Sequence, residues 1–304
     1  MNHGAHGGRT SVFFARTLGA LDLALADTLP RVLESSDEEA LHDFRVEIRK
    51  LRTLLKAARS LYGRFHADAV RAGFTEMHRA TGALRDEEVF LELLGTLELD
   101  GEEMEAFVAR RRTRERMLRK NVLTLVRSPK MKRSRALLNA IILLPLNPTR
   151  EKDLHKFARK TVDRALANVE ALRNTPTTDQ VGLHDLRIAY KELRYACELM
   201  TTALPPDISA LAEPAAKMQK RLGEIHDVDA ALVSIARSRS LAPLLHARLT
   251  QALHLRREKL IAKYTDLVET QSKEAAAAIK VADRFDAEAE AEGQLDPDES
   301  AETT

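Results

Sequence analysis

Between residues 41 and 62 the chain carries two interleaved stripes. Leu41, Phe44, Ile48, Leu51, Leu55, Ala58 and Tyr62 recur at alternating steps of three and four, the spacing of one face of an α-helix. His42, Arg45, Arg49, Arg52, Lys56 and Arg59 follow the same rhythm one residue later. At roughly 100° per residue the two stripes fill adjacent arcs of the helix wheel. Asp43, Glu47, Lys50 and Thr53 fill the rest. The cations therefore sit beside the apolar face, where a packed helix borders a cleft. Taken alone, such a stripe also fits a solvated edge, with Arg and Lys stems buried and heads wet.

A second copy argues against a mere solvated edge. Residues 183–195 repeat the pattern 142 positions later: Leu41/Leu183, His42/His184, Asp43/Asp185, Arg45/Arg187, Leu51/Leu193 and Arg52/Arg194 are identical pairs. Lys191 stands where Arg49 stands in the first copy. The outer face drifts meanwhile, with Glu47 against Ala189 and Lys50 against Glu192. A solvated surface has no reason to keep its cations while losing the rest.

The hydrophobic period continues along the chain and predicts helices nearly everywhere. The expected elements are 11–33, a basic helix opening at a Ser35-Ser36-Asp37-Glu38 capping box and stopping at Gly63, 65–94, 102–127 and 131–144. After the prolines of residues 143–151 the plan restarts, with helices at 151–173, 182–204, 208–237 and 241–284. Phe157-Ala158-Arg159 echoes Phe14-Ala15-Arg16 at an offset of 143. Met77, Gly82, Asp86 and Leu91 recur as Met218, Gly223, Asp227 and Leu232 at an offset of 141. The expected architecture is all-α: two pseudo-symmetric antiparallel four-helix bundles, the first at 10–142 and the second at 151–285, joined by a linker at 143–150. Residues 1–9 read as a flexible N-terminus and 286–304 as a disordered acidic tail.

The motif H-x-x-R-x-x-x-R-x-L-R, present twice in a helical chain of this length, resembles the CHAD domain, the conserved histidine α-helical domain. The Gly82 to Asp86 segment resembles that family's L-G-x-x-R-D segment; Arg85 fits it, and His226 departs from it in the second copy. The resemblance covers roughly residues 10–270. It implies a single CHAD domain with a basic central cavity between two helical bundles, and inorganic polyphosphate as the ligand.

Charge supports a polyanionic partner. The net formal charge is +2, but residues 286–304 hold eight acids and no Lys or Arg, so residues 1–285 carry +10. Further cations fall inside apolar arcs: Arg111 and Arg114 on the fourth helix, and Arg248, Arg256, Lys259 and Lys263 on the last. Buried cations need partners, either Glu across the bundle or a bound polyanion. The expected polyphosphate-binding set is His42, Arg45, Arg49, Arg52, Lys56, His184, Arg187, Lys191, Arg194, Arg111, Arg114, Arg256, Lys259 and Lys263.

Other chemistries find less support. Asp86 and Asp227 are single matched carboxylates, expected to hold a neighbouring Arg or His rather than to catalyse. His42 and His184 lack the companions a zinc site needs, and no HExxH, paired Cys or P-loop occurs. No metal, cofactor or catalysis is expected. Aromatic residues make up 4%, few for a protein that stacks on nucleic-acid bases, so RNA or DNA is the weaker alternative ligand. No apolar run approaches the ~18 residues of a membrane helix. The single cysteine, Cys197, excludes an internal disulfide and agrees with a reducing compartment. A cytoplasmic location is expected, with polyphosphate granules and their proteins as the surroundings such a binder would meet.

Overall fold

The computed structural model describes residues 9–34, 39–144, 152–238 and 241–292, with side chains to residue 271. No β-strand occurs among them; an isolated antiparallel bridge joins Arg9 to Asp153. The first half contains α1 (Thr10–Glu34), α2 (Ala40–Ala57), the single turn α3 (Arg59–Tyr62), α4 (Arg64–Ala80), α5 (Gly82–Gly95), α6 (Glu102–Arg127) and α7 (Pro129–Ile142). The second contains α8 (Leu154–Leu172), α9 (Gln180–Leu199), α10 (Pro206–Ser209), α11 (Ala212–Ala236) and α12 (Pro243–Glu292).

Local chemistry sets the breaks. Gly63 turns the chain from α3 into α4 at φ 86°, a conformation that side chains disfavour. Pro129 opens α7, where its missing N–H costs nothing. Asp153 and Asp179 cap α8 and α9 by accepting from the amides of Lys156 (2.8 Å) and Gly182 (3.0 Å). The helix expected at 65–94 divides at Thr81, whose hydroxyl donates to the His78 carbonyl (3.0 Å) and competes with the helical ladder. Its partner in the second half, α11, carries Leu222 at that place and runs unbroken. The expected start of that helix at 208 lies instead in the separate turn α10. Helix α12 continues to Glu292, into the segment expected to be irregular, because its Ala-Glu alternation favours helix. The capping box at 35–38, most of the linker, residues 1–8 and residues 293–304 lie outside the described residues.

Two apolar cores form, and they do not divide at the linker. One gathers α1, α2, α3, α4 and α7 with Leu84 of α5 and Val122 and Val126 at the end of α6. The other gathers α8, α9, α11 and α12, and also takes Phe90, Leu93 and Leu94 of α5 and Met104 and Phe107 of α6. The α5–α6 hairpin thus crosses from the first half into the second core. Matched residues of the two halves also meet each other. Phe14 packs edge-on against Phe157 at 5.5 Å, and Thr10 exchanges hydrogen bonds with Lys152 (3.1 and 3.2 Å) beside the Arg9–Asp153 bridge. Contacts between equivalent positions are what an approximate two-fold axis produces.

Candidate functional site

Helices α2 and α9 touch, and a cavity of about 2140 Å³ opens beside them. Eleven arginines and five lysines line it against five carboxylates, so the positive excess of the whole body concentrates here. From α2 come His42, Arg45, Arg49, Arg52 and Lys56; from α9, Arg187 and Lys191; from α6, Arg111 and Arg114. These nine of the sequence-predicted residues share one space.

The other five do not line it. The cavity-facing arc of α9 is turned toward Ile188, Glu192 and Tyr195, roughly 60° from the equivalent arc of α2, which leaves Arg194 behind. Arg194 instead pairs with Glu198 at 2.6 Å. His184 sits one turn earlier and packs on His226, ring centroids 4.7 Å apart and Nδ1 atoms 3.4 Å apart. It is His226 that reaches the cavity. On α12 the buried stripe runs through Leu245, Leu249, Leu253, Leu260 and Tyr264, so it drifts away from Lys259 and Lys263, which are exposed. Arg256 is half-buried on the same helix and outside the cavity; Arg248, also outside it, is exposed and approaches the Asp100 carbonyl at 3.5 Å.

The innermost cations hold one another at a cost. Arg45 is pushed down to about 10 by burial and by Arg49, and donates to the Thr81 hydroxyl (2.6 Å) and the His78 carbonyl (3.2 Å). Arg52 is lowered by burial and by Arg71 and Arg49, and donates to Thr75 (3.1 Å). Lys191 is pushed down to about 8 by burial, then by Arg187, Arg49 and Arg52. His78, in their midst, falls to about 3 for the same reasons, and His226 to about 4 through burial and Arg187. The Nε atoms of Arg49, Arg71 and Arg187 are buried and meet no hydrogen-bond acceptor among the described residues. Arg49 lies 5.6 Å over the Tyr195 ring.

The acids play unequal parts. Glu87 is 3% exposed and binds both Arg111 (2.6 Å) and Arg114 (3.1 Å), while Arg111 also stacks 4.4 Å over Phe90. Those two arginines are thus already partnered by a glutamate. Lys56 reaches across to Glu192 at 2.9 Å. Asp86 and Asp227 both line the cavity; neither forms an ion pair within 4.0 Å among the described residues, but Asp86 favours the charge of Arg45 and Asp227 that of Arg187. Burial raises the Asp227 carboxyl, against Arg187 and Arg85. Asp86, which lines the same cavity, also raises it. Nor does the matched glycine admit a close neighbour: a Cβ on Gly82 or Gly223 would meet nothing within 4 Å, and nothing in the structure explains the pair.

Sequence reasoning missed Arg71 and His78 on α4, Arg237 just after α11, and Lys152, Lys156, Lys160 and Arg164 before and along α8. The last three recur every fourth residue beside the buried Leu154, Ala158, Val162 and Ala165, the same cation-beside-core layout as α2. That period was available in the sequence. Among the described residues no three His, Cys, Asp or Glu gather as metal ligands, and no helix is long and apolar enough to cross a membrane. Burial raises the Cys197 thiol to about 11, which leaves it inert packing.

The fold and cavity define an all-α protein, internally duplicated, with a basic interior. The family model of the CHAD domain matches residues 18–236, and the chain belongs to that family. Two solved structures share the fold. One is the CHAD domain of the plant Ricinus communis, 22% identical, with a TM-score of 0.67 over 85% of this chain and 91% of that one. The other is PptA from Streptomyces chartreusis, 19% identical, with a TM-score of 0.68 over 88% of this chain and 100% of that one. No curated protein matches the chain in sequence.

Proposed function

We propose that the cavity binds inorganic polyphosphate and does no chemistry on it. The observation that carries this reading is the set of unsatisfied donors around the cavity: half-buried Arg49, Arg71 and Arg187, whose buried Nε atoms lack acceptors among the described residues, and Lys191 with no ion pair among them. Buried cations without partners are costly. A flexible chain of phosphates supplies acceptors at short intervals and one negative charge at each. Arginine forks suit phosphate oxygens, and lysine adds a point charge. Membership of a family linked to polyphosphate agrees.

Nucleic acid fits less well. The aromatic rings lining the cavity are Phe90, Phe157 and Tyr195, and each already packs against an arginine, a lysine or another phenylalanine. Little ring face is left for base stacking.

The test is calorimetric titration with polyphosphate over a range of salt. If ~8 cations engage, log K should fall against log[salt] with a slope of roughly −6. A flat response, or an RNA oligomer displacing polyphosphate at equal charge, overturns the reading.

A further inference from the structure

The α8 stripe breaks the internal symmetry. Subtracting the offset of 143 maps Lys156, Lys160 and Arg164 onto Phe13, Thr17 and Leu21 of α1, none of them charged. The surroundings differ as well. In the first half α6 and α7 pack on α1, and Arg135 of α7 clamps the buried Asp22 with two bonds of 2.7 and 2.9 Å. The equivalent of Asp22 on α8 is Ala165, which lines the cavity. The face that α7 covers on α1 is therefore open on α8. No residue of α1 lines the cavity, whereas α8 contributes a whole wall.

The wall is distinct from the inner cluster. Lys156, Lys160 and Arg164 are exposed, and none forms an ion pair among the described residues. Acids on this helix are engaged elsewhere: Asp153 caps its first turn and Asp163 binds Arg159 at 2.8 Å. The shifts at Arg45, Arg52, His78 and Lys191 trace to burial and to charges on α2, α4, α5 and α9. The α8 cations are exposed where Arg45, Arg49, Arg52 and Lys191 are half-buried, while lining the same space.

We infer that Lys156, Lys160 and Arg164 form an extension subsite, which engages a polyphosphate chain only when it is long enough to run on from the inner cluster. This rests on the reading of the cavity given above. Short polyphosphates fill the cluster made by α2, α4 and α9. Longer chains continue along α8, where eight residues from Lys156 to Arg164 span about 12 Å. Since α1 offers no counterpart, the extension runs to one side, and affinity grows with chain length until the stripe is covered.

The experiment compares tripolyphosphate with long-chain polyphosphate on three full-length proteins: the wild type, K156A/K160A/R164A, and a control of equal charge loss, K120A/K132A/R133A. The control residues are exposed on α6 and α7 and lie outside the cavity. Thermal melts establish that all three fold. The α8 variant should keep its tripolyphosphate affinity, lose about tenfold or more for the long chain, and show a salt slope shallower by about 2 for that chain. The control should change neither. Equal losses for both ligands, no loss for either, or an equal loss in the control would overturn the extension subsite. A wild type that binds neither polyphosphate fails before the comparison begins, and that outcome overturns the proposed function itself.

Discussion

Arg45 and Arg187 occupy the same position in the two repeats but sit in different surroundings. Arg45 is tied to Thr81 and to the carbonyl of His78 at the break between α4 and α5. At the matching place in α11 stands Leu222, the helix is continuous, and the Arg187 Nε has no acceptor. The same contrast runs through the walls. The first half supplies cations that also brace structure, such as Arg111 and Arg114 on Glu87. The second supplies Arg187, whose charge Asp227 favours, together with Lys191 and the α8 stripe, which form no ion pair among the described residues. Duplication set out two equal rows of cations. The two rows now differ in how their matched members are tied to the scaffold.

The largest expected effect follows from that contrast. R187A/K191A removes two cavity cations and should weaken polyphosphate binding by two to four orders of magnitude, from about 1.5–3 kcal/mol per charge-assisted contact. Its melting temperature should hold or rise, since burial already disfavours both charges. R45A/R49A should lose affinity too, but with a lower melting point, because Thr81 and His78 lose their donor. Equal stability in the two double variants would erase the distinction between the two rows.

The pH dependence is expected next, at tenfold or more. Lys191 is charged below about 8, and a bound polyanion favours that charge, so affinity should fall as pH rises through 8. Stability should move the other way. The folded value lies below the ordinary 10.5, so the unfolded chain binds more protons between about 8 and 10.5, and Lys191's contribution to stability rises with pH across that window. K191M should flatten both trends; binding and melting curves that keep their slopes in K191M would remove Lys191 from the site.

Smaller effects probe the scaffold. D22A strands Arg135 and loosens α7 from α1, for about 2 kcal/mol in chemical denaturation. T81V deletes the acceptor of Arg45 and should cost about 1 kcal/mol. Last, G223A should stabilise α11 by about 0.5–1 kcal/mol, since a methyl group there meets nothing. A loss at that position would show a role for the glycine outside the static packing.

The legible part of the molecule was the part present twice. The stripes of α2 and α9 stood out because cations persisted while their neighbours changed, and six of the nine α2, α9 and α6 cavity residues came from that signal. The same criterion hid what is asymmetric. Lys156, Lys160 and Arg164 have no charged equivalents on α1, and Arg71 maps onto Ala212. It also carried Arg194 and His184 into the site, because identity of sequence does not require identity of helix roll. Helices were readable from their period. The division at Thr81 was not, since one hydroxyl and one arginine decide it. Nor was the path of α5 and α6, whose apolar faces look alike whichever core receives them.

That crossing has a consequence for how the protein can be taken apart. A fragment ending at residue 142 would carry Phe90, Leu93, Leu94, Met104 and Phe107 with nothing to cover them, and the fragment from 152 onward would lack the same five side chains. Neither length of chain is a viable unit, although each once resembled the other. The contacts that join α5 to α11 also span well over a hundred positions, so the second core cannot close until most of the chain is present. Synthesis from the N-terminus would leave the α5–α6 hairpin waiting for its partners, and a ribosome paused after α7 would hold out a hydrophobic surface that a chaperone can recognise.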